Sequence, residues 1–193
     1  GSQMFTGCGA LRLYDAIRLV KTAIIASAMS ADALLTPLRA YDRRVHRVRP
    51  YNGQNAVAEN LRRLLKGSKL SGRSRGKVQD AYSLRCIPQI YGPTVDALHY
   101  AREQIEIEMN SAADNPLFFA DDKEQLSCGN FHGQPIAMVL DLLGIAISEI
   151  GGLSERHINR LNNPNLNMGL PSFLIKGEGL NSGFMVCLLY TSP

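Results

Sequence analysis

The sequence predicts a mainly α fold built from long packed helices. Apolar residues recur at helical spacing over several long windows, strand signals are scarce, and internal repeats are absent. Ala10 to Ala28 carries Leu11, Leu13, Ile17, Leu19, Val20, Ile24 and Ile25 with alanines between them, and reads as a well-packed helix. Ser30-Ala31-Asp32-Ala33 opens a shorter helical piece that runs out near Pro37. Gly53 to Leu65 reads as an amphipathic helix with Val57, Leu61, Leu64 and Leu65 inward, ending at Gly67.

Lys66 to Lys77 is a linker. It holds Gly67, Gly72, Gly76, three serines and five basic residues, with almost nothing to bury, and it reads as a loop rather than a domain boundary. Pro88 and Pro93 punctuate the approach to a helix from about Thr94 to Ala112, with Val95, Leu98, Ala101, Ile105 and Met109 along one side. Leu117 to Phe119 and Gln125 to Leu126 flank Ala120-Asp121-Asp122-Lys123-Glu124, a surface turn or short hairpin. Gln134 to Leu161 is the longest apolar stretch, with Ile136, Val139, Leu143, Ile147 and Ile150 among residues spread over most of its circumference. A helix apolar all round is covered by other helices, here including those of other subunits.

Composition narrows the function classes. The balance of 45% apolar and 20% charged residues is that of a globular chain, and the length suits a single domain. The net charge of +4 is mild. The densest basic run, Arg43 to Arg49, lacks interleaved aromatics and any nucleic-acid module, so it reads as a solvated face or subunit contact. Cys8, Cys86, Cys128 and Cys187 have no metal-ligand spacing and read as reduced thiols of a cytoplasmic protein. No basic segment leads into an apolar one near the start, and no run of about 18 uninterrupted apolar residues occurs. The expectation is therefore no signal peptide and no membrane span.

The most informative string is Val78-Gln79-Asp80-Ala81-Tyr82-Ser83-Leu84-Arg85. On a helix, Gln79 and Tyr82 would share a face, with Arg85 one short step further round. A guanidinium fits a carboxylate with two parallel donors, and an amide and a phenol can each position the same ligand. Taken alone, the string also reads as a solvated helix N-terminus.

That string resembles the substrate-anchoring segment of the aromatic amino acid lyases, the histidine and phenylalanine ammonia-lyase family. The resemblance extends over Arg49-Pro50-Tyr51-Asn52-Gly53-Gln54, which looks like the family's Arg-Pro-x-x-Gly-Gln. It continues through Ser111-Ala112-Ala113-Asp114-Asn115-Pro116-Leu117, Cys128-Gly129-Asn130-Phe131-His132-Gly133-Gln134-Pro135 and Glu149 to Arg156. Gly169-Leu170-Pro171-Ser172-Phe173-Leu174 and Gly179-Leu180-Asn181-Ser182-Gly183-Phe184-Met185 complete the series. It implies that residues 1–185 form the central part of that family's helical bundle, incomplete at both ends, with 186–193 a tail outside the family.

What the resemblance implies chemically can be stated residue by residue. Arg85 grips the substrate carboxylate, against the alternative of an ion pair with Asp80 or Asp96. Tyr82 orients the ligand or its amine, and Gln79 hydrogen-bonds near the electrophile; either could instead be amphipathic surface. Phe131 packs against prosthetic group and substrate ring, or is plain core. Asn115 supports the site, although Asp-Asn-Pro is also an ordinary turn and cap. His132 reads as a structural histidine, and its presence resembles histidine lyases more than plant phenylalanine lyases.

Ammonia elimination needs an electrophile that ordinary side chains do not supply. In the family this is a methylidene-imidazolone formed from the protein's own Ala-Ser-Gly. The present sequence contains no Ala-Ser-Gly; its Ser-Gly pairs are Ser71-Gly72 and Ser182-Gly183. Gly1-Ser2-Gln3-Met4 looks like the tail of the family's Asn-Gly-Thr/Ser-Gln, so the expectation is an internal fragment, inactive alone. The expected whole is a homotetramer acting on an amino acid, L-histidine before tyrosine or phenylalanine, with no nucleic acid, membrane or metal. The rivals are an aromatic amino acid 2,3-aminomutase and a non-catalytic helical binding or assembly module.

Overall fold

The computed structural model of the chain describes residues 1–73 and 78–187. Among the described residues six α-helices carry the fold: α1 (Ser2–Ala33), α2 (Arg43–Arg47), α3 (Asn52–Leu64), α4 (Tyr82–Arg85), α5 (Ile87–Met109) and α6 (Gln134–Asn162). A 3₁₀ turn spans Leu38–Tyr41, and β1 (Leu117–Phe119) pairs antiparallel with β2 (Glu124–Leu126) as the expected hairpin. The predicted mainly α fold is the one observed.

The long helices pack because each keeps a narrow seam of apolar and small side chains. On α1 the buried positions include Thr6, Gly9, Leu13, Ala16, Val20, Ala23, Ile24, Ser27, Ala28 and Ala31, spaced three or four apart along one stripe. Ser30 to Ala33 continue this helix rather than opening a new one, because Ala31 extends the seam and is fully buried. Three residues expected to be packed, Leu11, Leu19 and Ile25, lie on the exposed side.

α5 is the hub, lying against α1, α3 and α6. Its backbone meets that of α3 directly. A methyl group on Gly53 would sit 2.1 Å from the Gly92 carbonyl oxygen, and one on Gly92 would sit 2.6 Å from the Gln54 nitrogen. Only glycine permits that approach, and it lets the Asp96 carboxylate accept from the Gly53 N–H at 2.7 Å, satisfying a donor that the first turn of α3 leaves open. On α3, Val57, Leu61 and Leu65 are buried as expected, whereas Leu64 is exposed.

α5 begins at Ile87, seven residues before the expected start. Pro88 sits in its first turn, where no N–H is needed, and Pro93 is tolerated inside the helix. The tertiary reason is that Ile87 and Tyr91, each 1% exposed or less, are anchored in the core on either side of Pro88. Thr94 then ties α5 to α6 by donating its hydroxyl to the Ala146 carbonyl at 2.9 Å. Leu98, Ala101 and Ile105 are buried and Val95 packs at the core edge, but Met109 is exposed.

α6 runs one residue beyond its expected end. Ile136, Val139, Leu143, Ile150 and Leu153 are buried against α1 and α5, while Met138, Leu142 and Ile145 face outward. Despite its interruptions, this helix is long and apolar enough, by length and composition, to cross a bilayer. The sequence test for an uninterrupted apolar run does not register it, because Asp141, Gly144, Ser148 and Glu149 are spread along it.

The 66–77 linker is tethered where it is described. The Asp32 carboxylate near the end of α1 accepts from both Ser68 and Ser71 hydroxyls and from the Ser71 N–H, and the Gly72 N–H donates to the Thr36 carbonyl. Residues 74–77 of the linker, and 188–193 of the expected tail, lie outside the described residues.

Candidate functional site

Gln79 and Arg85 line one cleft of about 550 Å³, together with Pro37, Arg39, Ala40, Val78 and Asp80. The helical face expected for the Gln79–Tyr82–Arg85 string does not form. α4 is a single turn of four residues, Gln79 precedes it in a bend, and Ala81 at its N-cap is extended. The extended Ala81 ends α4 on the side toward Gln79, and Cys86 ends it before α5. Tyr82 opens instead onto a neighbouring cleft with Ser83, Ile90, Glu149, Gly152, Leu153 and Arg156. Its ring is 74% exposed and lies 4.5 Å beneath the Arg85 guanidinium carbon, so the two residues meet by stacking.

The Arg85 Nε is buried and has no hydrogen-bond partner among the described residues. A buried guanidinium nitrogen without an acceptor is costly, a state that Arg160 Nε shares. Among the described residues no ion pair joins Arg85 to Asp96, whose carboxylate accepts from the Gly53 N–H.

The walls of the cleft are held by buried polar chains. Arg49 donates to the Gln54 side-chain oxygen at 3.1 Å, Gln54 donates its amide to His46 Nδ1 at 3.0 Å, and His46 Nε2 donates to the Ala40 carbonyl at 3.1 Å. This gives the Arg-Pro-x-x-Gly-Gln string a physical meaning. Its arginine and glutamine fix the tautomer of His46, which secures the 3₁₀ turn forming one wall. Burial pushes the His46 pKa below its ordinary value, against a smaller upward pull from the Ala40 carbonyl. Burial alone would raise the Asp32 carboxyl, but its hydrogen bonds from Ser68 and Ser71 hold it below the usual range.

The α4 turn is fixed from two sides. The Tyr41 hydroxyl donates to the Leu84 carbonyl at 2.6 Å, and His157 Nε2 donates to the Ser83 carbonyl at 2.6 Å. Burial raises the Tyr41 pKa well beyond the ordinary phenol range, and Asp80 and Cys86 add to it. Burial likewise depresses His157, with Arg160 adding and the Ser83 carbonyl opposing. Both side chains are therefore neutral donors at physiological pH. Tyr41, His46 and His157 escaped the sequence reading. Gln54 and Arg49 stood in a quoted motif, whereas nothing local marks Tyr41 or His157.

The other expected site residues lie elsewhere. Asn115 spends its side-chain oxygen on Cys128 N–H at 2.7 Å and the Ser127 hydroxyl at 3.1 Å, closing the base of the β1–β2 hairpin. His132 accepts from the N–H of Gln134, the first residue of α6, at 3.2 Å. Phe131 is 54% exposed beside it. These three sit beyond the far end of α5, whose 23 residues span about 35 Å, so one chain does not bring them to Arg85. Among the described residues no group of three or more His, Cys, Asp or Glu is placed to hold a metal ion.

Arg85 and Gln79 share a cleft on this helical hub, within the series of motifs that resembles the aromatic amino acid lyases. The chain belongs to the aromatic amino acid lyase family, whose profile matches residues 1–191. It is 54% identical over 187 residues to the histidine ammonia-lyase of Alkaliphilus oremlandii, covering 96% of this chain and 37% of that protein. The structure superposes on histidine ammonia-lyase from Trypanosoma cruzi with a TM-score of 0.90 at 42% identity, covering 99% of this chain and 35% of the other. It matches tyrosine aminomutase from Streptomyces globisporus at 0.91 and 39% identity, with 96% and 39% coverage. The chain thus spans little more than a third of the length of these relatives.

Proposed function

We propose that this chain supplies the substrate-anchoring part of an ammonia-lyase that eliminates ammonia from an aromatic amino acid, with L-histidine as the first substrate and tyrosine or phenylalanine second. The carrying observation is the cleft that Arg85 shares with Gln79. Identity of 54% to a histidine ammonia-lyase supports the choice of histidine. Arg85 receives the substrate carboxylate through two parallel hydrogen bonds, which fixes the α-carbon. Gln79 lines the same cleft, and Tyr82 contributes through its stack on Arg85.

The family's methylidene-imidazolone would take hydrogen bonds at its carbonyl oxygen, which the Gln79 amide could donate from the Arg85 cleft; the Tyr82 hydroxyl opens onto the neighbouring cleft. When bound, that group supplies the electrophile that makes the amine a leaving group. Its Ala-Ser-Gly source is not in this sequence. Phe131 and Asn115 enter the reading only through another copy, since about 35 Å of α5 separates them from Arg85 within the chain. This separation favours a site shared between copies of the chain; a cytoplasmic homotetramer is what the family resemblance implies for the whole.

The test uses the full-length enzyme that carries this segment, supplied separately with L-histidine, L-tyrosine and L-phenylalanine. Formation of the ultraviolet-absorbing arylacrylate, fastest with histidine, is the expected result. Accumulation of a β-amino acid from tyrosine would instead establish the aminomutase reading, which the likeness to tyrosine aminomutase keeps in view. Neither product from any of the three would leave the non-catalytic helical module.

A further inference from the structure

We propose that Tyr41 and His157 are positioning residues that clamp the α4 turn so that Arg85 presents its guanidinium to a carboxylate-bearing ligand. The inference rests on the reading of Arg85 as the carboxylate anchor. Its ground is a geometric problem and its solution. α4 has only four residues, Tyr82–Arg85, so its carbonyls cannot all find helical N–H partners within the element. Within it, Ser83 and Leu84 are consecutive and precede Arg85. Each of their carbonyls receives one buried side-chain donor at 2.6 Å, from opposite sides of the fold: Tyr41 from the 3₁₀ turn after α1, and His157 from the C-terminal half of α6.

The two donors are themselves anchored. The Tyr41 carbonyl accepts from Arg62 on α3 at 2.7 Å, and His157 Nδ1 lies 3.5 Å from the Ser27 hydroxyl on α1, which also reaches the Tyr91 hydroxyl on α5 at 3.3 Å. Tyr41 is 0% and His157 4% exposed, so neither can touch the substrate. A single turn of helix held this way has little freedom to rotate about its axis, and that rotation is what would swing Arg85 away from the cleft. Packing alone would be served by phenylalanine and leucine at these positions; the hydroxyl and imidazole add direction.

The test measures inhibition of the full-length enzyme by 3-(imidazol-4-yl)propionate and by the corresponding amide, which lacks the carboxylate. Tyr41→Phe removes one oxygen and keeps the ring, and His157→Leu removes the other donor. Each is expected to weaken the propionate about tenfold, the scale of one misaligned charge-assisted hydrogen bond, while leaving the amide within about twofold. His157→Gln, which keeps an N–H donor of similar reach, is expected to recover most of the propionate affinity. Arg85→Lys serves as the reference. Discrimination between the two ligands lost in Arg85→Lys but kept in Tyr41→Phe, whose near-isosteric change preserves the fold, overturns the clamp alone. An Arg85→Lys variant that weakens both ligands equally overturns the anchor reading, and the clamp with it.

Discussion

Arg85 carries the proposed anchoring role in one side chain. Its Nε is buried without a partner among the described residues, and its face is taken by the Tyr82 ring. Lysine at this position keeps the charge but loses both the planar two-point grip and the stack. In the full-length enzyme Arg85→Lys is expected to lower kcat/KM about ten- to a hundredfold, the equivalent of roughly 1.5–3 kcal/mol. A steady-state assay on histidine checks this, and a loss below about twofold would remove Arg85 from the role. At the same scale, His46 and His157 both titrate below the ordinary histidine value of 6.5 because they are buried. In the unfolded chain they bind protons as the pH falls through about 6.5; in the folded chain they do so only at lower pH. Protonation thus favours unfolding, and stability is expected to decline as pH drops from about 7 toward 5, before the carboxylates titrate. Thermal unfolding measured across that range checks the sign. A Tm that rises on acidification would mean that these imidazoles are not buried as neutral donors.

Helix α6 and the α3–α5 contact carry the expectations that belong to whole elements. Leu143 is 3% exposed at the centre of α6, facing α1 and the core. Leu143→Glu would bury an unpaired charge there, and is expected to destabilise the fold by about 3 kcal/mol or more, read from denaturant unfolding. A variant as stable as the parent would show that this face of α6 is not packed. Gly53→Ala tests the backbone contact between α3 and α5. The added methyl would lie 2.1 Å from a carbonyl oxygen that cannot move without shifting α5, so a loss of about 1–3 kcal/mol is expected. The same substitution at Gly144, where nothing lies within 4 Å of the added carbon, is the control expected to be neutral or slightly stabilising.

Considered whole, the molecule leaves much apolar surface uncovered. Leu11 and Tyr14 on α1, Ile107 on α5, and Met138 and Ile145 on α6 are each 60% exposed or more. Surfaces of this kind drive association. The 193-residue chain alone is expected to self-associate in sedimentation and to form no urocanate from histidine, since its sequence lacks Ala-Ser-Gly. Urocanate above a heat-treated control would refute the second expectation, and a stable monomer the first.

The helical class, the hairpin, α6 and the motif series were legible in the sequence because each is a local property. Apolar periodicity, turn residues and contiguous strings survive without knowledge of neighbours. The start of α5, the merging of residues 30–33 into α1 and the four-residue length of α4 were not legible. Burial of Ile87, Tyr91 and Ala31 decides the first two, and Ala81 and Cys86 bound the third. The same division runs through the site. Sequence singled out Gln79, Tyr82 and Arg85 as candidates and placed Arg49, Gly53 and Gln54 in one motif. Only the tertiary structure separated Tyr82 into a neighbouring cleft and carried Asn115 and Phe131 to the far end of α5. It also brought Tyr41 and His157 onto adjacent carbonyls from positions 43 and 74 residues away. Hydrogen bonds across such separations leave no periodic trace, because the constraint they satisfy exists only once distant helices have packed.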